Sequence, residues 1–235
     1  MFCDLIDFHS HILPGMDDGS KSVEMSLDML RLQAEQGVEQ VVLTPHFYPT
    51  THTPERFLAA RADAADRLYD AVAGQNGLPK LHLGAEVAYF AGISECDDLQ
   101  ALCVEHSDCV LVELPMCRWE RPIFRELEGI VTKQGLRPVI AHVDRYLPVL
   151  MADRVLKPLL ELPVVLQFNA SFFLRRSGKA MRLLRQGAVG LLGSDCHDLT
   201  ERRPNLGAAA DAIGRKLGTA PLEKILEFGR EMLCL

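Results

Sequence analysis

An α/β barrel, made of parallel strands joined by helices in a single domain over residues 1–235, is the fold this sequence predicts, on three observations. Short apolar runs of strand length alternate with longer amphipathic stretches along the whole chain, the pattern of a repeated strand-helix unit. Seven such runs occur, at 4–9, 39–44, 80–86, 108–113, 137–142, 163–169 and 188–194, enough for a closed or nearly closed barrel. Histidines and acids recur where these runs end, and the C-terminal ends of barrel strands are where such folds carry their sites.

The elements follow in order. After the first strand, Ser22 can cap a helix reaching about Gln36, with Val23, Leu27, Leu30 and Ala34 on one face and Gly37 at its end. The second strand leads to a helix over 54–73, whose apolar stripe carries Phe57, Ala60 and Leu68. It stops before Gly74-Gln75-Asn76-Gly77-Leu78-Pro79, a surface turn rather than a linker between domains. Later helices are predicted at 121–134, 152–161, 172–186, 204–216 and 221–232. The sequence has no internal repeat and no low-complexity tract.

Composition narrows the function classes. Of the 235 residues, 48% are hydrophobic and 24% charged, so the chain can bury a proper core. A net charge of -7 argues against a nucleic-acid partner, which would demand neutralisation of phosphates by Lys and Arg. The first residues lack a basic segment followed by an apolar one, and no run approaches a membrane span; direct membrane insertion is not expected and the cytoplasm is the default. Seven cysteines without short paired spacings fit reduced thiols better than a disulfide framework. Cys3, Cys96, Cys103, Cys109, Cys117 and Cys234 read as small packing or incidental residues.

The chemistry-bearing residues begin with Asp7-Phe8-His9-Ser10-His11. His9 and His11 lie two apart, so an extended backbone projects both imidazoles from one face and they can grip one ion together. Ligand types then recur at strand ends: His46, Glu86, Glu113, His142, Asp195 and His197, with Asp18 in the turn after the first strand. Taken singly, each reads more plainly as a satisfied polar residue, a helix cap or a surface acid. Their joint placement at one end of so many strands reverses that reading. His52, His82 and His106 have no such company, and His82 sits mid-strand as a packing residue.

Imidazoles and carboxylates suit zinc, manganese and iron, and the absence of cysteine from the recurring positions argues against a closed thiolate site. Nine ligands can serve three ions if one carboxylate bridges. The expected grouping is His9, His11, Glu86 and Asp195 around the first ion, Glu86, Glu113 and His142 around the second, and Asp18, His46 and His197 around the third, with Glu86 bridging. Closely spaced ions acidify a bound water and neutralise charge on a phosphate during in-line displacement, a combination that makes a phosphomonoesterase. Arg145 and Arg202 are the candidate clamps for the phosphate oxygens.

Cys196 and Arg202, separated by five residues, imitate the spacing of cysteine-dependent tyrosine phosphatases. Their phosphate loop must cradle the anion with backbone N–H groups beside a thiolate of low pKa. Here the intervening His197-Asp198-Leu199-Thr200-Glu201 has no glycine and two acids that would repel phosphate, so thiol catalysis is not expected.

At these residues the chain resembles the PHP (polymerase and histidinol phosphatase) superfamily, and within it the bacterial capsular or exopolysaccharide tyrosine-protein phosphatases. The resemblance rests on Asp7 to Gly19, Thr44-Pro45-His46, Gly84-Ala85-Glu86, Val112-Glu113-Leu114-Pro115, Ala141-His142-Val143-Asp144-Arg145-Tyr146 and Ser194-Asp195-Cys196-His197, in order over nearly the whole chain. Members commonly have another residue, often methionine, where Cys196 stands, and Phe-Pro where this chain has Leu114-Pro115. The resemblance implies a distorted (β/α)7 barrel and a site of three divalent ions, manganese favoured, with iron or zinc as substitutes. It also implies a substrate: phosphotyrosine on the tail of the bacterial tyrosine autokinase that controls polysaccharide polymerisation and export.

The leading expectation is a protein-tyrosine phosphatase in which metal-activated hydroxide attacks phosphorus and no phosphoenzyme forms. An open face admits a flexible tail, and no long insertion is present to make a lid over a small metabolite. The alternatives are a small-molecule phosphatase of the histidinol-phosphatase kind, a phosphodiesterase acting on nucleic acid, disfavoured by the acidic balance, and a non-catalytic partner of a kinase, opposed by the complete ligand set.

Overall fold

The computed structural model describes residues 2–150 and 152–234; Met1, Met151 and Leu235 lie outside the described residues. In chain order the first half comprises β1 (Leu5–Ser10), α1 (Val23–Glu35), β2 (Val38–Leu43), β3 (His46–Phe47), α2 (Pro54–Val72), β4 (Lys80–Leu83), β5 (Glu86–Ala88) and β6 (Cys109–Glu113). The second half comprises α3 (Arg121–Gln134), β7 (Arg137–Ile140), α4 (Val143–Leu150), α5 (Ala152–Leu160), β8 (Val165–Asn169), α6 (Ala170–Arg175), α7 (Ser177–Arg185), β9 (Leu191–Gly193), α8 (Leu206–Leu217) and α9 (Ala220–Met232).

Every described pairing is parallel, which demands a crossover between successive strands and explains the intervening helices. β2 and β3 occupy one strand position, interrupted at Thr44-Pro45, because Pro45 has no N–H to donate. β4 and β5 occupy the next, interrupted at Gly84-Ala85. Two backbone bonds carry the pairing across both breaks, Gly84 N to Leu43 O at 2.9 Å and Glu86 N to Pro45 O at 3.0 Å. The predicted strand 80–86 is therefore two short strands, and Glu86 begins the second.

The ring of strand positions closes at its C-terminal end. Asp195 N donates to His9 O at 2.8 Å and His11 N to Cys196 O at 2.9 Å, tying the segment after β9 to β1. One contiguous apolar core includes Leu5, Val41, Val110, Val139, Leu166 and Leu191 from the strands. Met29 and Leu30 of α1, Leu127 and Ile130 of α3 and Ile213 of α8 cover it, each such burial stabilising by about 1.5–3 kcal/mol. No described helix is long and apolar enough to cross a membrane.

The helices at 54–73 and 121–134 match α2 and α3, and the later ones differ in two places. The predicted 172–186 helix is α6 and α7, broken at Arg176, whose ψ of 42° leaves the helical region. α4 occupies a segment with no predicted helix, where Pro148 reads as a breaker. Burial overrides that signal: Tyr146 is fully buried, packs edge-on against Trp119 and accepts a hydrogen bond from Leu114 N at 2.9 Å.

Gly193, at the end of β9, is held close to its neighbours by the closure. A Cβ there would lie 2.5 Å from His9 Cβ and 2.7 Å from Gln167 Nε2. Gly193→Ala is expected to lower stability by about 1–3 kcal/mol. The measurement is a urea titration, with a lower midpoint and an unchanged m-value.

Candidate metal centre

All nine candidate ligands gather at the C-terminal mouth of the ring. Glu86, only 1% exposed, is the hub. Its Oε2 lies 3.1 Å from His9 Nε2, 3.3 Å from His11 Nε2 and 3.0 Å from His46 Nδ1, and its Oε1 lies 2.8 Å from His142 Nε2. Glu113 approaches His142 Nε2 at 3.5 Å, while Asp195 Oδ1 stands 3.7 Å from His11 Nε2 and 3.9 Å from His9 Nε2. Asp18 Oδ1 lies 3.4 Å from His197 Nε2 and 3.7 Å from His46 Nε2.

Three sets of donor atoms lie close enough to share an ion: His9, His11 and Glu86; His11, Asp18, His46 and His197; and His46, Glu86 and Glu113. This differs from the grouping expected from the sequence, since His11 reaches into the set around Asp18 and His46 faces Glu86 and Glu113 as well. The cause is local. Glu86 starts the short strand β5 in register with His46, so the two side chains meet.

The residues present fit cations. Glu86 Oε2, His46 Nδ1, His142 Nδ1 and His197 Nε2 are buried without a hydrogen-bond partner among the described residues. Such groups are costly in a protein interior unless a ligand satisfies them. His9 Nδ1 is 3.2 Å from Gln167 Oε1 and His11 Nδ1 is 2.7 Å from Asp17 Oδ2. With both Nδ1 atoms as donors, the two Nε2 lone pairs face each other at 3.1 Å, an arrangement that a positive charge must relieve. In the metal-free protein a proton does so. Burial lowers the His11 pKa, but the Asp17 hydrogen bond and then Glu86 outweigh it and lift it to about 10. His142, likewise opposed by burial, is lifted by Glu113 and Glu86 to about 9. Burial, and after it the charge of His11, hold His197 down at about 4, so its ring is neutral with a lone pair free.

Backbone strain accompanies these positions. His142 and Asp195 each follow a strand and adopt positive φ, 32° and 52°. Such conformations cost of order 1–3 kcal/mol and persist where surroundings over-determine them. Gln167 Oε1 accepts from His142 N at 2.6 Å, and the barrel closure fixes Asp195 N on His9 O.

Several contributing residues escape the sequence reading. Asp17 orients His11, and it also accepts from His46 N at 2.9 Å and from Gly19 N at 2.8 Å. Asn169 Nδ2 donates to Asp195 Oδ2 at 2.8 Å. Gln167 and Asn169, two polar residues alternating with Leu166 and Phe168 in β8, were a readable signal of a polar inner face. Asp7 is buried beneath the site and accepts from Gln33, His9 N and Ser194 N. Tyr48, partly exposed, stacks on the His46 ring at 4.9 Å.

Arg202 Nη2 donates to Asp195 Oδ1 at 2.6 Å, and Arg145 Nη1 is 3.7 Å from Asp195 Oδ2, so both guanidiniums border the centre, partly exposed. Cys196 is wholly buried, and burial, reinforced by the charge of Asp7, pushes its thiol well above the usual range. His82 is a packing residue bonded to Gln40, and neither His52 nor His106 reaches the centre.

Comparison with known proteins places this architecture. Residues 5–232 match the family described as capsular polysaccharide synthesis, CpsB/CapC. The chain belongs to the CpsB/CapC family. Among CpsB/CapC relatives, the tyrosine-protein phosphatase CpsB of Streptococcus pneumoniae is 28% identical over 238 residues, covering 94% of each chain. The tyrosine-protein phosphatase YwqE of Bacillus subtilis is 27% identical, over 92% of this chain and 86% of its own. A solved structure from the work on YwqE and CpsB, described as unique metal-dependent tyrosine phosphatases, superposes with a TM-score of 0.85 at 23% identity, over 98% of this chain and 94% of that one. The fold is thus the barrel of the PHP type shared within the CpsB/CapC family.

Asp17→Asn keeps the shape of the side chain but removes the charge that fixes His11, and should weaken divalent-metal affinity about 10–100-fold, read by competition with a chelating dye. A pH dependence follows from the imidazoles. Below about pH 9 the metal-free protein holds protons on His11 and His142 that an ion must displace, so affinity should rise with pH and level off near 10. Calorimetry in buffers of different ionisation enthalpy should show net proton release near pH 7; uptake, or none, would contradict it.

Proposed function

We propose that this chain is a metal-dependent protein-tyrosine phosphatase, a hydrolase acting on phosphotyrosine of a bacterial tyrosine autokinase that controls capsular or exopolysaccharide synthesis. The observation that carries the reading is the convergence of four imidazoles on the buried carboxylate of Glu86, bordered by two guanidiniums. Membership of the CpsB/CapC family and the names of the relatives support it. His9, His11, Asp18, His46, Glu86, Glu113, His142, Asp195 and His197 are the proposed ligands, for three divalent ions, manganese favoured. When bound, the ions supply an activated water for attack on phosphorus and positive charge to offset that of the phosphate.

The chain's own groups do the rest. Arg145 and Arg202 each present a planar fork to the phosphate oxygens, exchanging part of their contact with Asp195 for the substrate. Tyr48, partly exposed beside His46, offers an aromatic ring against which the substrate's phenyl ring can pack. A tyrosine phenolate leaves with a pKa near 10, so its departure asks less of a proton donor than an alkoxide would. That favours an aryl phosphate over histidinol phosphate. A cytoplasmic setting suits the free cysteines, which would stay reduced there.

The test is phosphate release from a tyrosine-phosphorylated kinase-tail peptide and from histidinol phosphate, side by side, with apo protein reloaded with manganese. The peptide should be preferred and chelator should abolish turnover; preference for the metabolite would move the protein among small-molecule phosphatases. His142→Ala should lose activity. Cys196→Ser should keep most of it, since a buried, protonated thiol is no nucleophile.

A further inference from the structure

We infer that a second anion site lies beside the metal centre and reads a negatively charged group next to the phosphotyrosine, so that acidic or multiply phosphorylated segments are the better substrates. This rests on the phosphatase reading above. Although the chain carries a net charge of -7, one open cavity of about 440 Å³ collects five arginines, at 145, 175, 176, 202 and 203. Asp195 and Asn169 form part of its wall, so it adjoins the candidate metal centre directly.

Arg145 and Arg202 are engaged with Asp195. Arg175, Arg176 and Arg203 are exposed and have no ion pair or side-chain hydrogen bond among the described residues. They come from separate parts of the chain: Arg175 ends α6, Arg176 is the break before α7, and Arg203 lies in the loop that enters α8, which packs against α6. The fold, not a basic run in the sequence, brings them together. Three acids also line the cavity. Asp195 is bonded to Arg202 and Asn169, Asp144 accepts from Asn169 N at 2.8 Å, and Glu201 is exposed at the rim. Glu201 alone leaves the three outer guanidiniums in excess.

Unpaired guanidiniums lining one cavity repel one another, and a carboxylate or phosphate relieves that repulsion while accepting forked hydrogen bonds. With the phosphotyrosine phosphate at the mouth, an adjoining residue of the same peptide is within the chain's reach of this wall. The site therefore serves binding rather than the displacement at phosphorus, and Arg175, Arg176 and Arg203 determine specificity.

The experiment compares kcat/KM of the manganese-loaded protein for three phosphotyrosine peptides, with neutral flanks, glutamate flanks or a second phosphotyrosine, and for p-nitrophenyl phosphate. In wild type the two anionic peptides should outperform the neutral one through KM, the two arms separating carboxylate from phosphate recognition. Replacing Arg175, Arg176 and Arg203 together by Ala should raise KM for the anionic peptides about tenfold, leaving the neutral peptide and p-nitrophenyl phosphate unchanged. The triple Lys variant should restore part of the preference, which a merely structural role would not. Equal turnover of all three peptides by wild type, or an equal loss on every substrate in the Ala variant, would overturn the second site alone. Turnover of p-nitrophenyl phosphate with no turnover of any phosphotyrosine peptide would overturn the tyrosine-phosphatase reading, and the second site with it.

Discussion

The buried carboxylate of Glu86 is the interaction on which the rest of the mouth depends. Four imidazole nitrogens lie within 3.3 Å of its two oxygens, in a place with almost no access to water. A carboxylate so placed would be driven toward protonation by burial alone. The charge of His9, followed by the close approach of the His11, His142 and His46 rings, instead holds it well below the usual carboxylate range. An ionised acid facing several imidazoles in a dry site is stable only with positive charge among them, supplied by protons or by metal ions. The barrel provides the frame for this, because parallel strands in a ring end at one mouth and bring distant residues to it without any loop having to fold back.

Rigidity at that mouth comes from groups that touch no candidate ion. Asp17 and Gln167 hold the Nδ1 atoms of His11 and His9, and Gln167 also holds the backbone of His142 in its left-handed conformation. Asp7 lies one layer beneath and accepts from His9 N and Ser194 N. The first and last strands are thus tied both by barrel hydrogen bonds and by a buried carboxylate. Ring orientation, tautomer and strand closure are one connected problem here, and tolerance for an extra methyl group at Gly193 is correspondingly small.

Much of this was legible in the sequence, for physical reasons that can be named. Parallel barrel strands are buried on both faces and read as apolar runs, and a ligand at the end of such a run is conspicuous because burying a polar residue there needs a cause. The break inside the predicted strand 80–86 was not legible, since Gly84-Ala85 interrupts the pairing while the apolar pattern continues; at Pro45 the end of strand 39–44 was legible and its resumption at His46–Phe47 was not. α4 was hidden because Pro148 argues locally against a helix, and the contacts that overrule it, Tyr146 on Trp119 and Leu114, are separated from it in sequence. The role of Asp17 was not legible because adjacent acids in a turn are equivalent until the backbone shows that Asp17 bonds the His11 ring while Asp18 approaches His46 and His197. Likewise the split of donor atoms into sets follows from the register of β3 against β5, which a list of ligands does not contain.

Charge explains why recognition and chemistry need separate resources in this fold. Four of the nine proposed ligands are carboxylates, Asp18, Glu86, Glu113 and Asp195, and Asp17 adds a fifth acid beside them. Arg145 and Arg202 lie against Asp195 and are already partly neutralised by it. In the bare protein these acids consume the charge of the two guanidiniums and of the protonated His11 and His142, leaving no positive excess for a phosphate dianion. On the proposed count of three divalent ions the balance reverses, so metal loading is a condition for binding the phosphate as well as for activating water. Once the ions and the two engaged arginines are committed to the phosphate, they cannot also distinguish one phosphotyrosine from another. Selectivity among peptides must then come from groups outside the reacting centre, and the unpaired arginines on the adjoining wall are the charges this acidic protein leaves available there.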